Sequence, residues 1–580
     1  MDESTERAPT AGGAERPGSG GGSAILRYWP VLVVVVVVAA VVAIATLGGD
    51  DGDDDELTAG PDTTEQVDDD AGDDETVGDG GDEPGDASDA PDCDPETGRI
   101  MVPSLFAPNC VPLWPDDADN GGATHQGVTA DEIVVAIYDA EASDLVREAQ
   151  DATGVTTPEE AEEAENRLKM VGAFNDLFET YGREVRVEVF IPSGEGGDEA
   201  AARADAIRIA EELEAFAVIG GPGAGAINAY VNELVDRDVM CFCTASQPIE
   251  NYIEWSPYVW SGLMASTQGY VHRADFIADR LAGSPAQYAG DPEMHDTDRV
   301  FGLVYYETPD GAYQAGVDFF EERLAEDGVE LTTSIAFMVD GNREEQAQSI
   351  MTRMNSDGVT SVILATDPLM PQQLTNQATN QDYFPEWIVV GASGTDNSNL
   401  ARLYDQDQWE NAFGLSYLLP PIDPGYEQQE GNIISWHLGE ELSNYPDYFS
   451  WLRFFTGVHL AGPELTPESF RDGMFSFEPV SGHQTQFGTS YGEDLWDWPD
   501  YLGADDVTLI FWDREAPDPR TDAGEVGMYR YLDEARRYLP GEVGETTTPF
   551  FEQEGTVIMF DERPEGDRPP RYPRRSGRDG

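Results

Sequence analysis

From Glu132 onward, short runs that are apolar at nearly every position alternate with longer stretches whose apolar residues recur at helical spacing. The short runs are Ile133–Tyr138, Val185–Phe190, Phe216–Ile219, Val239–Phe242, Val300–Tyr306, Thr333–Met338, Ser361–Ala365 and Trp387–Val390. A strand without a polar face is one covered on both sides, which is the condition of a parallel sheet between helix layers. Between these runs, Glu160–Tyr181, Ala200–Ala215, Ala224–Val235, Ala312–Glu326, Arg343–Asn355 and Pro371–Asn380 carry the helical period. Alternation of this kind predicts α/β architecture with doubly wound layers. Eight units exceed one compact sheet, so two Rossmann-like lobes are expected. Glu254–Gly262 (EWSPYVWSG) interrupts the alternation and reads as a first passage between the lobes.

The N-terminal part follows other rules. Arg27–Leu47 is almost only valine and alanine for about 18 positions, enough to cross the hydrocarbon core as a helix. Arg7, Arg16 and Arg27 precede it and no basic residue follows until Arg99. That asymmetry puts segment 1–24 in the cytoplasm and everything after the span outside the cell. Ala43-Ile44-Ala45 also has the form of a signal-peptide cleavage site, so 25–48 reads as a transmembrane anchor or a cleaved signal, the latter secreting the domain. Asp50 to Asp92 holds 20 acidic residues and no basic one, and 49–92 is expected to be a disordered, self-repelling linker. Cys93 and Cys110 close a short proline-rich loop, and outside the cell a disulfide between them would pin an extension over 93–127. Cys241 and Cys243 sit in an apolar run and are expected to be buried thiols, neither bridged nor metal-bound.

The chain has 114 acidic and 32 basic residues, a net charge of −82, and one lysine, Lys169. Such a chain repels nucleic acid, which is set aside as a partner, and its surface is suited to high salt, where screening relieves self-repulsion. There is no G-x-S-x-G elbow, no H-E-x-x-H and no metal-type cysteine spacing, and the six histidines are scattered. His459, in the aromatic stretch Tyr448–Leu460, reads as a packing residue, and Trp496, Trp498 and Trp512 as core tryptophans. No catalytic residue, metal or cofactor is expected, and the chain reads as a non-enzyme. Gly221-x-Gly223-x-Gly225 lacks the spacing of a dinucleotide turn.

In open α/β sheets ligands bind beyond the C-terminal strand ends. Three such ends are rich in small polar groups: Gly220–Gly225, Cys243–Pro248 and Gly391–Asp396. The order of motifs through the chain resembles the branched-chain amino-acid (Leu/Ile/Val) binding proteins of ABC transporters, which have the type I periplasmic-binding-protein fold. The resemblance is carried by Gly127-Val-Thr-Ala-Asp-Glu-Ile-Val-Val135, Val218-Ile219-Gly220, Thr244-Ala-Ser-Gln-Pro248, Val304-Tyr-Tyr306, Ala461–Phe470 and the late strand Val507–Trp512.

What the resemblance implies is a hinge of three crossings, near Tyr258–Gly262, Gly414–Pro421 and His483–Tyr491. The domain would span 128–515, with lobe one over 128–258 and 418–483 and lobe two over 262–414 and 488–515. The tail 516–580 has no assigned role. The family's carboxylate-binding loops correspond to Gly223, Ala224, Ala245, Ser246 and Gln247, with Tyr138 at the end of the first strand. The position that meets a ligand ammonium corresponds to the uncharged Ser393. Asp310 and Asp367 stand at two further contact positions, where each would hold a cation or cap the following helix. A long acidic insertion, Ala140 to Glu165, follows Tyr138. These departures leave the solute open among amino acids, amides, polyamine-like compounds and short peptides. The implied partners are the solute, permease subunits of an ABC transporter and, through the N-terminal span, the membrane. A ligand-sensing ectodomain and an exported hydrolase are the alternatives.

Overall fold

The computed structural model describes residues 87, 90–115, 118–140, 160–194, 197–244, 246–307, 313–338, 342–391, 394–423, 433–439, 447–520 and 524–574. The expected span 25–48, nearly all of the linker and most of the insertion after Tyr138 lie outside these residues. Among the described residues, no helix is long and apolar enough to cross a membrane.

Two separate sheets form. In the first, β1 (Glu132–Tyr138), β2 (Glu184–Phe190), β3 (Ala217–Ile219) and β4 (Met240–Phe242) lie in the order β2-β1-β3-β4, all parallel. Helices α1 (Glu160–Leu177), α2 (Glu199–Glu211) and α3 (Ala224–Val235) join them, and α4 (Ile249–Glu254) follows β4. The Asp198 carboxylate starts α2 by accepting from the backbone N–H of Ala201 at 3.0 Å.

After α5 (Ser266–Phe276) the second sheet begins. It contains β5 (Phe301–Glu307), β6 (Thr333–Met338), β7 (Ser361–Ala365), β8 (Glu386–Val390), β9 (Ala412–Ser416), β10 (Thr508–Pro517) and β11 (Val526–Tyr531). Their order is β11-β10-β9-β8-β7-β5-β6; the pairs from β6 to β9 are parallel, and β10 and β11 are added antiparallel. Helices α6 (Gln314–Glu326), α7 (Arg343–Ser356) and α8 (Met370–Asn380) make the crossovers. Alternate residues of one strand enter opposite cores: Val304 and Tyr306 pack on one face, Leu303 and Tyr305 on the other. Gly414 has φ 151, and a Cβ there would lie 1.9 Å from the Val389 carbonyl, so only glycine lets β9 lie against β8.

The first sheet and its helices share a core with α9 (Ile433–Leu438), α10 (Tyr448–Ala461) and α11 (Pro467–Phe475). The chain passes between this core and those of the second sheet three times. The passages lie between Trp260 and Tyr270, between Leu415 and Ile433, and between Leu502 and Val507. The second therefore starts after β9, which contains Gly414. The third comes later than His483–Tyr491, because Tyr491, Tyr501 and Leu502 still pack in the first core.

The tail is built into the fold. It supplies β11, buries Phe550 in the second lobe, and pairs Phe560 with Ile422 in the second passage. It then reaches the first lobe. Asp567, fully buried, accepts from the Thr485 hydroxyl at 2.6 Å, the Tyr572 carbonyl accepts from Trp436 at 3.1 Å, and Arg574 Nε donates to the His437 carbonyl at 2.7 Å.

Cys93 and Cys110 are bonded, as the sequence predicts. Cys241 and Cys243 are bonded too, against the expectation of free thiols. An extended strand holds residues two apart at about 6.6 Å. Here β4 ends at Phe242 and the chain bends, bringing the two Cα atoms to 5.3 Å, within disulfide reach.

Candidate functional site

On the first lobe, the ends of β1, β3 and β4 form one rim. Gly223 is the N-cap of α3 and no side chain caps it; the Ala226 N–H turns back to the Gly223 carbonyl at 3.0 Å, and the N–H groups of Ala224 and Gly225 have no side-chain cap. Ser246 is exposed beside this rim. Gln247 is half-buried; its amide oxygen accepts from Asn251 at 3.3 Å and its carbonyl from the Ser266 N–H at 2.9 Å, which ties the rim to the start of α5. Tyr138 is buried, stacks on Phe190 at 5.8 Å and donates its hydroxyl to Asp205 at 3.1 Å, so that hydroxyl is engaged within the lobe. Ala224 opens α3, and Ala245 lies outside the described residues.

On the second lobe, Asp367 is 2% exposed and accepts from the N–H groups of Leu369 and Met370 at 2.8 and 2.9 Å, with Arg343 Nε 3.8 Å away. Both bonds fall on Oδ1, one of them from Met370, the first residue of α8. Asp310 and Ser393 lie outside the described residues.

This rim holds a group that sequence reasoning missed. Arg273, on α5, donates Nε to the carbonyl of Val390, the last residue of β8, at 3.2 Å. Its guanidinium lies 4.8 Å from the Tyr270 ring and 5.9 Å from the Tyr417 ring. Tyr417 directly follows β9, and its buried hydroxyl lies against the Arg273 guanidinium with no acceptor for its own proton. Gly391, at φ +67, turns the chain beneath the Tyr417 ring, which a Cβ would meet at 3.0 Å. No spacing in the sequence announces this cluster, because it exists only once α5 packs across the ends of β8 and β9.

Between the lobes the third passage carries a polar layer. Asp505 accepts from Ser490 at 2.7 Å and from the Trp496 indole at 3.3 Å, while its carbonyl bonds His272 Nε2 at 3.0 Å. Burial pushes Asp505 up to about 7 against the pull of those donors, and burial holds His272 down at about 4. Asp500, beside Asp505, is raised by burial and by its neighbour's charge. Asp506 pairs with buried Arg537 at 2.8 Å and accepts from the Gly488 N–H at 2.7 Å. His459 is structural: Nδ1 accepts from the Glu179 N–H at 2.9 Å, so Nε2 carries the proton that goes to the Asn109 carbonyl.

No protein-family model and no curated protein matches the chain. Among solved structures it is similar to a substrate-binding protein of an Aeropyrum pernix ABC transporter, with 12% identity, a TM-score of 0.48, and coverage of 72% of this chain and 98% of that one. It is also similar to the branched-chain amino acid transporter substrate-binding protein LivJ of Streptococcus pneumoniae in complex with isoleucine, at 13% identity and a TM-score of 0.43, covering 69% and 99%. A third is an R. palustris solute-binding protein in complex with 4-hydroxybenzoate, at 11% and 0.46, covering 71% and 98%. The likeness is loose, and these proteins are of the kind that the sequence resembles.

Proposed function

We propose that this chain is an extracytoplasmic solute-binding protein, without catalytic activity, that takes a small polar solute between its two lobes and delivers it to an ABC transporter permease. The observation that carries the reading is the pair of separate sheets, parallel from β1 to β9 and each ending in glycine-rich or polar turns, on cores joined by three passages. Strand ends are where such sheets bind ligands, and multiple passages of this kind act as a hinge. On this reading Gly223, Ala224, Ala245, Ser246 and Gln247 form the first-lobe half of the site, with Ser393 and Asp310 bordering the second. The apolar segment 25–48 tethers the domain to the membrane, and 49–92 spaces it away.

A thermal-shift screen in high salt tests this, with amino acids, amides, polyamines and sugars as probes. A solute that closes the lobes stabilises the protein by about 2.7 kcal/mol at a hundredfold excess over its Kd. A hit weakened by Ser246→Trp, which fills the first-lobe rim, supports the reading. Silence across the whole screen removes it.

A further inference from the structure

Six arginines are buried among the described residues. Arg299 meets Glu386 at 2.7 Å, Arg537 meets Asp506, and Arg167 meets Asp447 at 3.6 Å. Arg183 has no acid but donates to four carbonyls, those of Thr129, Pro463, Asn120 and Gly122. Arg453 bonds the Tyr491 hydroxyl at 3.1 Å, which also feels the charges of Asp500 and Asp505. Like Arg183 and Arg453, Arg273 has no carboxylate within 4.0 Å among the described residues, but it lies at the ends of β8 and β9: it is 8% exposed, its Nε bonds the Val390 carbonyl, and its remaining contacts are with the Tyr270 and Tyr417 side chains. A cation withdrawn from water without a counter-charge is costly, and a chain with 114 acidic residues has carboxylates to spare.

We propose that Arg273, with the Tyr417 and Tyr270 hydroxyls, is a carboxylate-binding subsite on the second-lobe rim. The geometry suits that class of ligand. A guanidinium offers a planar fork of donors that matches the two oxygens of a carboxylate. The Tyr417 hydroxyl, buried without an acceptor, adds a further donor at the same end of β8 and β9. Two tyrosine rings flank the cation and keep water from it. The net charge of −82 repels anions at long range, so capture of a carboxylate calls for high salt, where the field is screened within about 3 Å at 1 M.

This inference rests on the solute-binding reading and names the ligand chemistry for that site. Calorimetry on the full chain in mild detergent and high salt tests it. The probes are amino acids and aliphatic and aromatic acids, each beside its neutral amide, with polyamines and sugars alongside. The expected result is binding of at least one acid with its amide at least about 30-fold weaker. Arg273→Met removes the preference, Arg273→Lys keeps part of it, and Tyr417→Phe, which preserves the ring packing, weakens the acid about 5- to 10-fold. An amino acid that binds where simple acids fail identifies an α-amino carboxylate; simple acids binding identifies a carboxylate without an ammonium. Equal affinity for acid and amide, or acid binding unchanged in Arg273→Met, overturns the subsite. Binding of amides, polyamines or sugars with none of the acids overturns the subsite and leaves the two-lobe reading standing. Silence of the whole set overturns both.

Discussion

The Tyr572 hydroxyl donates to Asp94 at 2.6 Å, joining the tail to the disulfide-pinned extension across 478 positions of sequence. The bond holds the Asp94 carboxyl below the usual carboxylate range. It is one of several by which residues 567–574 fasten to the first lobe after the tail has packed on the second.

The tail is therefore expected to contribute to stability. Asp567→Ala leaves the Thr485 N–H and hydroxyl buried without an acceptor and should cost about 1–3 kcal/mol in urea unfolding. Hydrogen exchange should rise in α9, whose Trp436 and His437 the tail contacts. Unchanged unfolding with unchanged exchange would mean that the tail merely rests on the surface.

Asp505 gives the stability a defined pH dependence. Its folded pKa of about 7 lies above the unfolded value of about 3.9, so its contribution is whole below pH 4 and is lost as pH rises to 7. His272 has the opposite sign: held at about 4, against about 6.5 unfolded, it contributes above pH 6.5 and loses that contribution as pH falls to 4. The two offset each other between pH 4 and 6.5. Asp505→Asn removes one of them, so the variant should gain on wild type as pH rises, by about 4 kcal/mol at pH 8. Melting curves from pH 4 to 8 check the sign; a difference independent of pH would contradict it.

The two disulfides should differ in weight. Cys93–Cys110 closes a loop with a separation of 17, and its removal by paired alanines should cost about 3 kcal/mol. Cys241–Cys243 spans a separation of 2, and its loss should cost about 1–2 kcal/mol. Urea titrations of the two double variants give the ranking directly, and the reverse order would refute the loop-length argument.

How much of this was legible follows from what each residue needs. The eight strands from Glu132 to Val390 were readable because helices on both faces demand apolar residues throughout, and the parallel sheets follow from that. Strand β11 (VGMYRY) was not, since an edge strand tolerates Arg530, which bonds Asp513, and Gly527, where the Trp512 ring needs room. The third passage was misplaced because Tyr491 and Tyr501 pack on Trp260, far away in sequence. Of the candidate site, the glycine turn at Gly223 was visible as local chemistry. Asp367 showed its capping residue type but not its burial beside Arg343, and Arg273 had no local signature at all.

The route of the tail also imposes an order in time. The Trp436 indole and the Thr485 hydroxyl meet their partners only when residues 567–574 arrive, and those residues are made after everything else in both lobes. The first lobe, begun earliest, is thus completed last. If the chain is exported as proposed, threading outward would keep these bonding positions unfilled until its final stretch has followed, and full closure of the fold would come after that.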